Sequence, residues 1–136
     1  MANEAANKFQ VLVVEDDELV GLTLQNQLRS LSTEVTLVSG AQSFLAKMSM
    51  PEKRYDLAVV DIGLPGLTGD HLISWLRTST EEWVRRLPVL VVTGIPDFAK
   101  GLAEAQEPGV EVLAKPYTFT ELQFAICGLR PANYAH

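Results

Sequence analysis

Residues 11–16 read Val-Leu-Val-Val-Glu-Asp, an apolar run that stops at two carboxylates. Three later runs also stop at a polar residue: Leu57 to Val60 at Asp61, Val89 to Val92 at Thr93, and Val112 to Ala114 at Lys115. Short runs rich in β-branched residues are typical of buried strands. Because the C-terminal ends of parallel strands open onto one edge of a sheet, we expect these polar residues to meet in space.

The apolar runs alternate with amphipathic stretches, a pattern that indicates βαβ units and an α/β fold with a parallel sheet. The sequence predicts five strand–helix pairs, with strands at about residues 10–14, 34–38, 56–60, 88–92 and 110–114. Apolar residues at helical spacing predict the buried side of each helix. These are Val20, Leu24, Leu28 and Leu31; Phe44, Leu45 and Met48; Leu72, Ile73 and Leu76, after Gly69; Phe98, Leu102 and Ala105; and Leu122, Ala125, Ile126 and Leu129, after a capping-box pattern of Thr118 and Glu121.

Composition limits the class of protein. The chain has 136 residues, a single-domain length, and we divide it into a flexible segment at 1–8, one domain at 9–130 and a tail at 131–136. Its net charge of -6 argues against direct nucleic-acid binding, which depends largely on Lys and Arg. No apolar run approaches the roughly 20 residues of a membrane span, and the first residues show no signal region. The lone Cys127 is predicted to be a buried thiol. We therefore expect a soluble, cytoplasmic protein.

Glu15, Asp16 and Asp61 are the candidate metal ligands. Three carboxylates in one pocket repel each other, and Mg²⁺, which prefers oxygen ligands, would relieve that repulsion. Glu15 and Asp16 alone could equally form a solvated acidic turn that favours the start of a helix. Asp61 favours a metal site, because it ends an apolar strand, and a carboxylate there can act as a nucleophile toward phosphorus.

Thr93 and Lys115 supply the other groups that a phosphoryl transfer needs. The transferring group spreads charge over its oxygens, so catalysis depends mostly on positioning and on cations and hydrogen-bond donors. Taken separately, a threonine that ends a strand and a lysine in a loop are more often structural. Their joint placement beside three carboxylates indicates a phosphoryl site.

Four motifs resemble the receiver domain of two-component response regulators. They are Val-Val-Glu-Asp-Asp at 13–17, Val-Val-Asp-Ile-Gly-Leu-Pro-Gly-Leu-Thr-Gly at 59–69, Val-Val-Thr-Gly at 91–94 and Ala-Lys-Pro-Tyr at 114–117. The resemblance covers residues from about 9 to 130. It implies a flavodoxin-like three-layer sandwich in which the five-stranded parallel sheet has the order 2-1-3-4-5, with five helices.

The resemblance also implies a role for each candidate residue. Asp61 would accept a phosphoryl group from a phosphohistidine of a histidine kinase or histidine phosphotransfer protein, and Glu15, Asp16, Asp61 and the backbone carbonyl of Gly63 would hold Mg²⁺. Thr93 would follow the phosphoryl group inward, and Lys115 would pair with one of its oxygens. The domain would promote its own phosphorylation and dephosphorylation, and would not be an enzyme acting on a separate substrate.

Output is expected through other proteins or domains. Residues 95–130 are the expected partner-binding face, by analogy with the family, and a phosphorylation-dependent dimer is left open. Arg130 to His136 is too short to fold as an output domain, so the effector is expected to be a separate protein or another part of a longer polypeptide such as a hybrid kinase.

Two departures from the family pattern lead to further expectations. Val112 occupies the position, three before Lys115, at which many receivers have a switching Tyr or Phe, so output is expected to use another surface movement. Gly63 and Ile95 lie two residues past Asp61 and Thr93, where side chains tune hydrolysis of the acyl phosphate. Because Ile95 would shield the phosphoryl group and Gly63 offers no side chain to orient water, the phosphorylated state is expected to be long-lived.

Three other classes of protein compete with this interpretation. A flavodoxin-like cofactor binder needs hydroxyl and backbone donors after its first strand, whereas this chain has carboxylates there. A haloacid-dehalogenase-type phosphatase needs a second Asp two residues after the first, where this chain has Gly63. A degenerate receiver that only binds partners remains open. A zinc site is disfavoured, because the chain has only two histidines, His71 and His136, and one cysteine to serve as nitrogen or sulfur ligands.

Overall fold

The computed structural model describes residues 8–50, 53–61, 69–94 and 109–129. In chain order its elements are β1 (Phe9–Val14), α1 (Glu18–Arg29), β2 (Thr33–Val38), α2 (Ala41–Met48), β3 (Leu57–Asp61), α3 (Gly69–Arg77), α4 (Glu82–Arg85), β4 (Val89–Thr93), β5 (Val110–Ala114) and α5 (Phe119–Leu129). The strands form one parallel sheet in the order β2-β1-β3-β4-β5. This confirms the predicted fold class, and each predicted strand is found within one residue of its expected bounds.

Two hydrophobic cores lie on opposite faces of the sheet, because successive strand side chains alternate between the faces. In β1, Leu12 and Val14 belong to one core, whereas Phe9, Val11 and Val13 belong to the other. Helices α2 and α3 contribute Phe44, Met48, Leu72, Ile73 and Leu76 to the first core, and α1 and α5 contribute Leu24, Leu28, Leu122 and Ile126 to the second. The sheet is thus the middle layer of a three-layer sandwich.

The predicted helix faces are confirmed for α2, α3 and α5, but one residue of the α1 stripe was wrong. Val20 is 40% exposed, and the buried residues of α1 are Gly21, Leu24 and Leu28. At 3.6 residues per turn, Gly21, Leu24 and Leu28 lie within an arc of about 60° on the helix, whereas Val20 lies outside this arc, toward solvent. Leu31 lies past the helix end and packs, partly buried, against the same core.

The starts of α1 and α5, which follow the loops after β1 and β5, are fixed by side-chain caps. The Asp17 carboxylate accepts a hydrogen bond from the Val20 N–H at 3.0 Å and caps α1. At α5 the Thr118 N–H donates to Glu121 Oε1 at 3.0 Å, and the Glu121 N–H donates to Thr118 Oγ1 at 3.1 Å. The predicted capping box is therefore present.

Two local features differ from the sequence prediction. Helix α4 was not predicted, because its four residues are too few to show helical periodicity. Its C-terminal end is bound by Arg77, whose Nη1 donates to the carbonyls of Leu87 at 2.8 Å and Arg85 at 3.1 Å. Cys127 is exposed and not buried as predicted, because the buried side of α5 there is formed by Ile126.

Some predictions fall on parts of the chain that the structure does not describe. The helix predicted around Phe98, Leu102 and Ala105 lies outside the described residues, as do residues 1–7 and 130–136. Among the helices that are described, none combines the length and the apolar character needed to cross a bilayer.

Candidate functional site

The strand register brings the predicted polar residues to one edge of the sheet. Val14 is paired with Val60, so Glu15 and Asp61 follow at neighbouring positions. Thr93 is paired with Ala114, and Lys115 comes next. Backbone hydrogen bonds extend the ladders past the strand ends, from the Glu15 N–H to the Val38 carbonyl at 3.0 Å and from the Lys115 N–H to the Thr93 carbonyl at 2.8 Å. The backbone at this edge is therefore held by the sheet itself.

Three carboxylates converge at this edge. Glu15, Asp16 and Asp61 can each place an oxygen within 4.8 Å of the others. Glu15 is 4% and Asp61 9% exposed, whereas Asp16 is exposed. The Asp17 N–H donates to Glu15 Oε1 at 3.0 Å, which fixes one end of the cluster. We refer to Glu15, Asp16 and Asp61 as the acidic cluster.

Lys115 is the cation of the site. Its Nζ lies 3.2 Å from Asp61 Oδ1 and 3.1 Å from Oδ2, so one ammonium group binds both carboxylate oxygens. The Asp61 side chain is only 11% exposed and that of Lys115 is 34% exposed. Charge-assisted hydrogen bonds in such a partly desolvated setting are stronger than neutral ones. Thr93, 1% exposed, ends the strand between the two residues.

The crowding of negative charge changes the acidity of the site. Burial, and then the hydrogen bond and negative charge of Asp61, raise the pKa of Glu15 from 4.5 to about 8, although the Asp17 N–H and Lys115 oppose the shift. Two carboxyl groups can share a hydrogen bond only when one of them holds a proton. Burial and the charges of Glu15 and Asp61 also raise the pKa of Tyr117, which places that phenol within the field of the site.

Residues 11–126 match the response regulator receiver domain family, and this match covers most of the chain. The chain is a receiver domain of this family. The resemblance on which the site prediction was based is therefore confirmed at the level of the family. Membership also excludes the flavodoxin-like cofactor binder and the dehalogenase-type phosphatase as assignments.

Relatives of the receiver domain support the assignment. It is 34% identical over 118 residues to the two-component response regulator PhoP of Pseudomonas aeruginosa, covering 85% of this chain and 48% of PhoP. Nodulation protein W of Bradyrhizobium diazoefficiens is 32% identical over 124 residues, covering 90% of this chain and 52% of that protein. The receiver domain thus spans about half the length of these curated relatives.

Solved structures support the fold. The chemotaxis response regulator CheY4 of Vibrio cholerae matches with a TM-score of 0.75 at 20% identity, covering 91% of this chain and all 100% of CheY4. Full-length FixJ of B. japonicum matches with a TM-score of 0.73 at 28% identity, covering 92% of this chain and 61% of FixJ.

The donor set of the acidic cluster suits Mg²⁺. The ligand atoms that this cluster offers are carboxylate oxygens, and Mg²⁺ typically binds one or two carboxylates while keeping several waters. Burial raises the pKa of Glu15, and the nearby Asp61 raises it further, so two carboxylate anions at these positions are unfavourable. A divalent cation would replace the proton that relieves this repulsion. The exposed Asp16 leaves the cluster open to solvent on one side.

The remaining predicted residues are Gly63, Ile95 and Val112. Gly63 and Ile95 lie outside the described residues. Val112 is partly buried in β5, where it is paired with Val91. Tyr117 was not predicted as part of the site, because its place in the motif Ala-Lys-Pro-Tyr was its only signal.

A cleft of about 560 Å³ beside the acidic cluster was also not predicted. It is lined by Glu15, Asp16, Glu18, Leu37, Val38, Ser39, Ser43 and Lys47. Its walls come from three separate segments, so no local motif marks it.

Without Mg²⁺, the free energy of unfolding of the receiver domain is expected to fall as the pH rises from 4.5 to about 8. In this window the unfolded chain has lost the Glu15 proton while the folded protein keeps it, so each increase in pH favours unfolding, by at most about 1.4 kcal/mol per pH unit. Denaturant unfolding in EDTA at several pH values measures this. The control, Glu15→Gln, cannot titrate and should give a flatter profile; identical profiles would contradict the prediction.

Proposed function

We propose that Asp61 accepts a phosphoryl group from a phosphohistidine of a histidine kinase or histidine phosphotransfer protein, in a Mg²⁺-dependent reaction in the cytoplasm. One observation carries the proposal: a nearly buried carboxylate at the end of β3 has Lys115 on both of its oxygens and two further carboxylates within 4.8 Å. Family membership supports the same role.

Each residue of the site has a separate role in the phosphoryl transfer. An Asp61 oxygen attacks phosphorus and forms a P–O bond while the P–N bond to the donor imidazole breaks, and the leaving imidazole takes up a proton. Lys115 then pairs with a phosphoryl oxygen, and the Thr93 hydroxyl donates to another. Glu15, Asp16, Asp61 and the carbonyl of Gly63 would hold Mg²⁺, which offsets the charge of the phosphoryl oxygens.

The switch and the output form the second part of the proposal. Thr93 moves toward the bound phosphoryl group, and Val112 does not act as an aromatic switch. The change is read by a downstream effector protein or domain at the face formed by residues 95–130, with phosphorylation-dependent dimerisation as one form of output. The receiver promotes its own phosphorylation and dephosphorylation and has no separate substrate.

Phosphate incorporation tests the proposal. With acetyl phosphate and Mg²⁺, the intact protein is expected to gain the mass of one phosphoryl group, and this gain should vanish in Asp61→Asn and on adding EDTA. Asn preserves the shape of the side chain but removes the nucleophilic oxygen. No mass gain with acetyl phosphate or phosphoramidate would favour a degenerate receiver that acts only as a binding scaffold.

The lifetime of the phosphorylated state provides a separate prediction. We propose that Ile95 shields the acyl phosphate from water and that Gly63 presents no side chain to orient it. Ile95→Glu is therefore expected to lose its phosphoryl group faster than the parent, by on the order of tenfold or more if the new carboxylate acts as a general base. Loss of phosphate after removal of the donor measures the rate. Ile95→Leu, which keeps an apolar side chain, is the control, and equal rates for the parent and Ile95→Glu would contradict the role.

A further inference from the structure

Gly21 occupies a position where glycine is costly. It lies inside α1, which continues to Arg29, and glycine in a helix is about 1 kcal/mol less favourable than alanine. It is buried, and its N–H donates to the Asp17 carbonyl at 2.8 Å in the first turn. The helix therefore neither ends nor breaks at Gly21, and the reason for a glycine must lie in its packing.

The space beside Gly21 is already filled. A β-carbon at this position would lie 3.1 and 3.2 Å from the two δ-carbons of Leu37 and 3.5 Å from Cγ of Glu15. The first two distances are shorter than the usual carbon–carbon contact of about 3.5–4.0 Å. A side chain at this position would require Leu37 of β2 or the first turn of α1 to shift by a few tenths of an ångström.

Other glycines in the described parts of the chain lack this combination. A β-carbon on Gly40 or Gly128 would meet nothing within 4 Å, and one on Gly94 would lie 3.9 Å from Cβ of Lys115. A β-carbon on Gly109 would lie 3.3 Å from Nη2 of Arg77, but the positive φ of 74° already accounts for glycine at that position. Gly21 thus combines an ordinary helical backbone with close crowding by Leu37, and Cγ of Glu15, a residue of the acidic cluster, lies next to the same space.

We propose that Gly21 is a positioning residue for the acidic cluster: by leaving room for Leu37, it lets α1 pack close enough to hold the Glu15 carboxylate in place for Mg²⁺. Two features place the start of α1 beside Glu15. Cγ of Glu15 lies 3.5 Å from the position that a β-carbon of Gly21 would occupy. The N–H of Asp17, the N-cap of α1, donates to Glu15 Oε1 at 3.0 Å. Moving the first turn away from the sheet would disturb both. The inference rests on the proposed Mg²⁺-dependent function.

Calorimetric titration with MgCl₂ tests the inference in the parent, Gly21→Ala, Leu37→Ala and the double variant. Gly21→Ala is expected to bind Mg²⁺ about tenfold more weakly, a size typical of changes to groups that orient a metal ligand. The double variant should bind about as well as Leu37→Ala alone, because the shortened side chain leaves room for the added methyl group. Parent-like binding by Gly21→Ala would overturn the inference, as would an equal loss with and without Leu37.

Controls separate positioning from general stability. Gly128→Ala adds the same methyl group in open space on α5, so it should raise the melting temperature and leave Mg²⁺ binding unchanged. If Gly21→Ala does not fold, Leu37→Phe is the substitute, because a larger side chain on β2 crowds the same space beside Gly21. Leu37→Phe should weaken Mg²⁺ binding. Unchanged Mg²⁺ binding by this variant would overturn the inference. A parent that binds no Mg²⁺ would instead contradict the metal part of the proposed function, whereas a binding parent with an unaffected Gly21→Ala contradicts only the positioning role.

Discussion

Replacement of Lys115 by Met is expected to slow phosphorylation of Asp61 by on the order of 10²- to 10³-fold, the usual effect of removing one group that stabilises transition-state charge. The Lys115 ammonium lies within 3.2 Å of both Asp61 oxygens, so it is already positioned where the charge of an incoming phosphoryl group would develop. Methionine keeps most of the length of the side chain but removes the charge. The initial rate of phosphate incorporation from acetyl phosphate measures the effect.

Lys47→Met provides a matched control for this change. Lys47 lines the cleft beside the acidic cluster, so the substitution removes the same charge from the same region without removing the cation that binds Asp61. Its phosphorylation rate should stay near that of the parent. Mg²⁺ binding by Lys115→Met should not weaken, because a cation that competes for Asp61 is lost. Equal rates for the parent and Lys115→Met would contradict the role of Lys115 in the transfer.

Phe44→Ala is expected to lower the free energy of unfolding by about 3–5 kcal/mol, the usual cost of removing a phenyl ring from a core. Phe44 is a residue of α2, and its side chain is fully buried in the core that also contains Leu12 and Val60. Domains are typically stable by only about 5–15 kcal/mol, so this one change would remove a large share of the stability. Denaturant unfolding followed by circular dichroism measures it.

The same substitution at an exposed phenylalanine gives the comparison. Phe124 on α5 is 74% exposed, so Phe124→Ala removes the same atoms without leaving a cavity and should change stability by less than about 0.5 kcal/mol. A similar loss for both variants would show that burial in this fold does not set the cost.

The strands could be predicted from the sequence because all five are short apolar or β-branched runs, and the three central strands, β1, β3 and β4, are buried on both faces. Such runs must end where the backbone leaves the sheet, and in this chain the residue at that point is polar. Glu15, Asp61, Thr93 and Lys115 were identified in this way. The paired strands then bring them together, as the registers of Val14 with Val60 and of Thr93 with Ala114 show.

Other features depended on contacts that no local pattern reports. Val20 and Gly21 are adjacent, and hydrophobicity favoured Val20 as the buried residue; the close approach of Leu37 from β2 reverses that choice. Helix α4 depends on Arg77, whose side chain reaches the carbonyls of Arg85 and Leu87. The exposure of Cys127 is fixed by which side of α5 faces the sheet.

The sequence by itself determined the fold class, the edge of the sheet at which chemistry is placed, and the identity of the charged groups there. These depend on periodicity and on strand ends, which are local properties of the chain. Only the tertiary structure decided how those groups interact: Lys115 binds both oxygens of Asp61, and burial together with Asp61 raises the pKa of Glu15 to about 8. The physical reason is that electrostatic interactions depend on distance and burial, and both are set by strands and helices far apart in sequence.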